Sequence, residues 1–300
     1  IQLTAGIIKA DSFASLYTEY LNQRIRSLAD NFNSDKIWKD NFFIAAMGSF
    51  GSSELSFTSD IDLVFVVCGA QSYPNIQKDF QRLLQIFKDE LPSLEIDCRL
   101  RPEGKGSQLV WDIEEYKKYF SNRARVWELQ AFTKCRFILG DSKLFTNFYT
   151  HYVQTVKEKN TEQIKKEMFE MRKKLYPLNN TQFNIKKSPG GLADIDFILS
   201  FLILSNPDLL IERKENNIIN SFDMIENISY QNINFDQLKR NYDELKKIEL
   251  FNQIIFNNKL PKVPAEDLKI NKLSKVCGFS NSILFLDKLH ETTDQIKKCL

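Results

Sequence analysis

Gly48-Ser49-Phe50-Gly51-Ser52-Ser53-Glu54-Leu55-Ser56-Phe57-Thr58-Ser59-Asp60-Ile61-Asp62-Leu63 is the stretch from which the fold can be read. Before it, the apolar run Phe42–Met47 predicts a strand that stops at Gly48. After the Gly/Ser-rich turn Gly48–Ser53, Ile61–Val67 predicts a second strand, apolar on both faces and therefore central. Side chains alternate along a strand, so Asp60 and Asp62 share one face. Two carboxylates at the mouth of a central strand repel each other unless a cation lies between them. Mg²⁺ is a hard ion that favours carboxylate and phosphate oxygens, and it accounts for both aspartates at once.

Downstream, Glu95-Ile96-Asp97-Cys98-Arg99-Leu100-Arg101 predicts a third strand over Leu94–Leu100. Ile96, Cys98 and Leu100 make its apolar face, and Asp97, Arg99 and Arg101 the other. A third carboxylate would thus join the pair, with two guanidiniums shaped for phosphate oxygens beside it. Asp-x-Asp, a glycine turn or an alternating edge strand is ordinary when alone. Together and in this order they predict a phosphoryl- or nucleotidyl-transfer site, with Asp60, Asp62 and Asp97 holding two Mg²⁺.

A helical face over 9–29 precedes the first strand, and Ile76, Phe80, Leu83, Leu84 and Phe87 mark an amphipathic helix closed by Pro92. Beyond about residue 112 the pattern is helical, over 112–121, 123–138, 142–175, 192–205, 235–258 and 281–298. An Asn-rich stretch at 177–190 and an irregular one at 206–234 interrupt it. The expected fold class is α+β. A small mixed-sheet catalytic domain over 1–150 is followed by an all-helical domain over 151–300.

Composition excludes some functions. A formal net charge of +2 and short basic clusters such as Arg172-Lys173-Lys174, read as a solvated helix face, do not suit a nucleic-acid binder. No apolar run reaches the ~18–20 residues that span a bilayer. Cys68, Cys98, Cys135, Cys277 and Cys299 are scattered, and His151 and His290 are the only histidines, so a zinc site is not expected. Unpaired thiols suit a reducing cytoplasm. The start at Ile1, close to a helical pattern, suggests a fragment of something longer.

The order Gly48-Ser49, Asp60-Ile61-Asp62, Asp97 resembles the DNA polymerase beta-like nucleotidyltransferase superfamily. Glu54 to Phe65, Asp97-Cys98-Arg99-Leu100-Arg101-Pro102, Trp127-Glu128 and Ser188-Pro189-Gly190-Gly191-Leu192-Ala193-Asp194-Ile195-Asp196-Phe197 are similar to glutamine synthetase adenylyltransferases. The likeness runs from about residue 10 to the end and includes the weaker pattern Leu260-Pro261, Leu273, Gly278-Phe279 and Phe285-Leu286. This chain has Ser49 and Ser52 where members often carry Lys and Gly, and Asp196 where they have Glu.

Such enzymes commonly hold two nucleotidyltransferase halves. The resemblance implies that one attaches AMP from ATP to a tyrosine of glutamine synthetase and the other removes it by phosphorolysis. The Gly-Gly-x-x-Asp motif is closer to the attaching half, and Arg125-x-Trp127-Glu128 to the removing half. The expected function is attachment, with glutamine synthetase as protein substrate and the PII signal protein as regulator. The competing readings are the removing half, a transferase acting on PII, and an inactive nucleotide or PII sensor. In the expected site the Gly48 and Ser49 backbone meets the β- and γ-phosphates, and Arg99 and Arg101 neutralise developing charge. Gly190, Gly191 and Asp194 either contact the nucleotide or do structural work. Asp194 would also offset a helix dipole, and Asp196, two positions on, points about 200° away.

Overall fold

The computed structural model describes residues 10–33, 35–176, 182–212, 217–226, 228, 230, 233–257 and 261–300. The long helix α1 (Ala10–Asn33) leads into β1 (Phe42–Met47). A single helical turn, α2 (Gly48–Gly51), carries the chain to β2 (Ile61–Val67), α3 (Ile76–Glu90) and β3 (Ile96–Asp97). Then follow β4 (Val110–Asp112), α4 (Ile113–Asn122), α5 (Val126–Phe132) and β5 (Arg136–Gly140). The remainder is helical: α6 (Ser142–Lys157), α7 (Thr161–Leu175), α8 (Leu192–Ser205), α9 (Asp208–Glu212), α10 (Ile218–Glu226), α11 (Phe235–Phe256), α12 (Asp267–Val276) and α13 (Ser282–Lys297). The α+β class with a small mixed sheet and a helical remainder is therefore what is seen.

The sheet runs β3-β2-β1-β5, with β4 also beside β2. β1 is antiparallel to both β2 and β5, whereas β3 and β4 lie parallel to β2 on its far edge. Strand alternation sorts the apolar side chains into two cores. Ile44, Ala46, Leu63, Phe65 and Val67 pack with Ile25 of α1 and with Phe80, Leu83 and Phe87 of α3. Phe43, Ala45, Met47, Val64 and Val66 face the other way, into one core with the later helices. Asp62 is two residues before Val64, so its side chain lies on the helical side of the sheet.

Five of the expected segments differ. The third strand pairs only at Ile96–Asp97. There the Asp97 carboxylate accepts the Arg99 N–H at 2.8 Å, a local bond that competes with the ladder and turns the chain away. The Gly48–Ser53 loop begins as a helical turn. The helix expected over 123–138 ends at Phe132, and Arg136–Gly140 adds an edge strand to β1. The helix expected over 142–175 breaks between Lys157 and Thr161, where the Asn160 side chain caps the new helix by accepting the Gln163 N–H at 3.1 Å. Two helices, α9 and α10, lie in the 206–234 region expected to be irregular, and α12 was not anticipated. Residues 177–181 of the Asn-rich stretch and Leu260 lie outside the described residues. Among the described residues no helix is long and apolar enough to cross a membrane.

Phe148 of α6 ties the sheet to the helices. Its ring centroid lies 5.2 Å from Phe43 of β1, 5.0 Å from Tyr116, 5.5 Å from Phe120 and 5.9 Å from Phe132. It is fully buried. Phe148→Ala is expected to cost about 3–5 kcal/mol of unfolding free energy in urea titrations. A change below about 1 kcal/mol would contradict this place for Phe148 in the core.

Candidate active site

In the parallel pairing of β2 with β3, Ile61 stands opposite Ile96 and Asp62 opposite Asp97. In-register neighbours project to the same side, so the sheet sets these two carboxylates side by side, with Asp60 two residues upstream. Like charges on adjacent strands are unfavourable, and the electrostatics record it. Burial, then repulsion from Asp97 and Asp60, pushes the Asp62 carboxyl up to about 7. Burial, with Glu95 and Asp97 nearby, raises Asp60 too. Asp97 goes the other way. Burial opposes its charge, but Arg99 outweighs that by donating from its backbone N–H and from Nε at 2.6 Å.

The turn before β2 closes over this cluster. Met47, the last residue of β1, is the pairing partner of Asp62. The next residue, Gly48, has φ of +53°, and a Cβ there would lie 2.3 Å from Asp62 Oδ2. Glycine at 48 is thus required both by backbone conformation and by the carboxylate it approaches. Arg136 of β5 pins the same turn. Its Nε donates to the Gly51 carbonyl at 3.0 Å and its NH2 to the Phe50 carbonyl at 2.8 Å, while its guanidinium also meets Asn22 Oδ1 of α1 at 3.2 Å.

The loop between turn and strand is held from the helical side by buried ions. Glu54 pairs with Lys134 at 3.1 Å, and Lys134 pairs with Asp196 of α8 at 2.6 Å. From α11, the Tyr242 hydroxyl donates to Glu54 at 3.1 Å and Lys246 to the Glu54 carbonyl at 2.7 Å. Lys246 also pairs with Glu249 at 2.8 Å, and Glu249 with Lys186 at 3.1 Å. One turn on, Gln253 accepts the Phe57 N–H at 3.1 Å and donates to Thr58 Oγ1 at 3.0 Å and Ser56 Oγ at 3.2 Å. Burial works against the charges of Glu54 and Glu249, yet their lysines hold both below the usual carboxylate range. Of these residues, only Glu54, Ser56, Phe57, Thr58 and Asp196 stood in the sequence motifs. Lys246, Glu249 and Gln253 share one face of α11 at i, i+3 and i+7, and that polar stripe on a helix with many apolar residues was the available signal.

The remaining expected site residues are distributed differently. Arg99 is near the carboxylates and exposed. Arg101 is not presented to them. Its guanidinium donates to the carbonyls of Cys98, Ser107 and Gln108, which staples the loop after β3. Asp194 is fully buried in an ion pair with Arg172, and it also accepts the Gly190 N–H at 2.5 Å. Gly190 has φ of +79°, and a Cβ there would collide with the backbone carbonyl of Thr293 in α13. A Cβ at Gly191 would likewise lie 2.6 Å from the Ile185 carbonyl. These contacts give Gly190, Gly191 and Asp194 structural work. They also correct the reading of Arg172-Lys173-Lys174 as a solvated face, since Arg172 is 2% exposed. Glu128 is buried and accepts from Tyr119 and from the Arg125 N–H, which caps α5, and Trp127 is partly exposed.

Asp60, Asp62 and Asp97 are oxygen donors of the kind a divalent cation prefers, and their mutual repulsion is what such an ion would relieve. Among the described residues, no three His, Cys, Asp or Glu side chains already form a ligating cluster. Asp97 is engaged by Arg99 instead.

Comparison with known proteins assigns the two parts separately. Residues 10–151 match the family Glutamate-ammonia ligase adenylyltransferase, and residues 153–300 match GlnD PII-uridylyltransferase. Similar curated proteins are named bifunctional glutamine synthetase adenylyltransferase/adenylyl-removing enzymes. That of Shewanella loihica is 34% identical over 57% of this chain and 21% of its own length. That of Shewanella oneidensis is 32% identical over 55% and 20%. That of Chromobacterium violaceum is 29% identical over 67% and 25%. The chain thus spans about a fifth to a quarter of the relatives it matches.

Two stability measurements follow from the geometry. An ordinary aspartate loses its proton near 4 in the unfolded chain, whereas Asp62 keeps its proton to about 7. Between these values the native state binds more protons, so stability falls as pH rises, and the whole penalty is present above 7. With divalent ions chelated, Asp62→Asn should raise stability by about 4 kcal/mol at pH 8 and by almost nothing at pH 4. Parallel pH profiles for the two proteins would contradict this. Glu54→Gln leaves Lys134 and Lys246 short of charge and should cost about 2–4 kcal/mol in urea. Hydrogen exchange should also quicken across residues 54–59, and unchanged exchange there would contradict the role given to the ion network.

Proposed function

We propose that this chain, whose residues 10–151 match the glutamate-ammonia ligase adenylyltransferase family, belongs to that family and transfers the adenylyl group of ATP to a tyrosine of glutamine synthetase. The observation that carries this reading is the register of Asp62 with Asp97, with Asp60 beside them under the Gly48 turn. Asp60, Asp62 and Asp97 would hold Mg²⁺, which when bound neutralises phosphate charge and aligns the phosphates for in-line attack. Gly48 and Ser49 offer backbone N–H groups to the β- and γ-phosphates.

The protein's own groups carry the proton logic. The tyrosine hydroxyl must lose its proton as its oxygen bonds the α-phosphorus and pyrophosphate leaves. Asp97 is the acceptor on that side. Arg99 holds it in the weakly basic state, so Asp97 becomes competent as Arg99 turns to the phosphates. Asp97 and Arg99 therefore act as a pair.

The catalytic unit is proposed to occupy residues 1–150 and the helical unit 151–300. PII is proposed as a regulator acting on the helical part, a reading supported by its match to the uridylyltransferase family. The five free cysteines agree with a cytoplasmic setting.

The test is incubation with α-labelled ATP, Mg²⁺ and glutamine synthetase. Label should appear on the synthetase, and Asp62→Asn should lower the rate at least ~100-fold. Release of ADP from adenylylated synthetase and phosphate, without labelling in the first reaction, would replace attachment by removal. Neither product would overturn the proposal.

A further inference from the structure

Lys186 stands in the helical part of the chain, outside every motif used above, yet packing brings it to the face of α11 that holds the segment leading into Asp60. The chain of contacts is short. Gln253 grips Ser56, Phe57 and Thr58, the residues that lead into Asp60. Glu249 lies one turn before it on the same face of α11, and the Lys186 ammonium lies 3.1 Å from Glu249. Lys186 reaches this place from a fixed loop. Its N–H donates to Asn184 Oδ1 at 3.0 Å, and its carbonyl accepts from Ala193 at the start of α8 at 2.9 Å.

Its pairing with Glu249 does not by itself explain it. Glu249 is fully buried and already has a buried lysine, Lys246, at 2.8 Å. Lys246 is enclosed and spans two acceptors, Glu249 and the Glu54 carbonyl. Lys186 differs because solvent reaches it. Its side chain is 34% exposed, against 5% for Lys246 and 18% for Lys134. Charge points the same way. The attraction of Lys186 offsets the crowding at Asp60 more than that of Arg99 does. Two cations thus act on the carboxylates: Arg99, exposed and paired with Asp97, and Lys186, partly exposed, whose charge draws on Asp60 from the helical part.

We propose that Lys186 is a binding residue for the nucleotide's polyphosphate, supplied by the helical part to the sheet's carboxylate cluster. The inference rests on the ATP-dependent function proposed above and adds which group of the ligand the helical part recognises. An ammonium is a compact point charge with three donors and addresses phosphate oxygens without a fixed plane, so the contact is ionic rather than shape-specific.

The test is equilibrium binding of ATP and AMP, each with Mg²⁺, to the full chain and to Lys186→Ala and Lys186→Arg. ATP affinity should fall at least tenfold in Lys186→Ala, AMP affinity should change less than twofold, and Lys186→Arg should recover most of the ATP affinity. Equal losses for ATP and AMP, or no loss for either, would overturn the proposal. Amine acetylation of the wild-type protein, read by mass spectrometry at Lys186, is independent of variant folding. ATP should protect Lys186 and AMP should not, and equal labelling with and without ATP would overturn the assignment. Failure of the wild type to bind ATP at all would remove the underlying function, and this inference with it.

Discussion

Parallel pairing of β2 and β3 puts Asp62 directly beside Asp97, and most of what surrounds the site can be traced to the repulsion between them. Backbone hydrogen bonds of the sheet fix the spacing, so the carboxylates cannot relax apart as surface groups would. One remains protonated to about 7, and the other is held ionised by Arg99. Two neighbouring carboxylates pushed in opposite directions are a stability liability and a common mark of a reactive site. A fold keeps such a liability where it contributes to function.

Holding the cluster requires rigid surroundings, and these come from both parts of the chain. Arg136 clamps the Gly48–Gly51 turn to α1 from the sheet side. From the helical side, Tyr242, Lys246 and Gln253 of α11 hold the segment from Glu54 to Thr58. Removal of one partner from buried pairs of this kind is expensive, whereas the net gain from forming them is small. Their contribution is therefore to geometry. Movement of α11 would be felt at Asp60 within a few residues, so a ligand acting on the helical part has a direct mechanical route to the carboxylates.

Much of this was legible in the sequence, for identifiable reasons. β1 and β2 are buried on both faces and read as continuous apolar runs, and Gly48 marks a stop that the packing against Asp62 explains. The Asp60/Asp62 alternation follows from strand geometry alone. Arg101 was misread because a two-residue strand was taken as seven, which extended the alternation past the point where Asp97 turns the chain. β5 was hidden because its five residues follow directly on a helix. Asp194 stood open between ligand and structure, and its fully buried partner Arg172 lies 22 positions away, beyond any local pattern. Lys186 was missed for a related reason. It lies just outside the motif at 188–197, and only tertiary packing brings it to Glu249.

The central claim is that Asp60, Asp62 and Asp97 converge on divalent ions at a nucleotide's phosphates. Anomalous diffraction from crystals grown with Mn²⁺ and a non-hydrolysable ATP analogue tests it most directly. The account predicts anomalous peaks bounded by these three carboxylates, with Asp97 released from Arg99. Nucleotide bound with no peak between them, or with Asp97 still closed on Arg99, would contradict it.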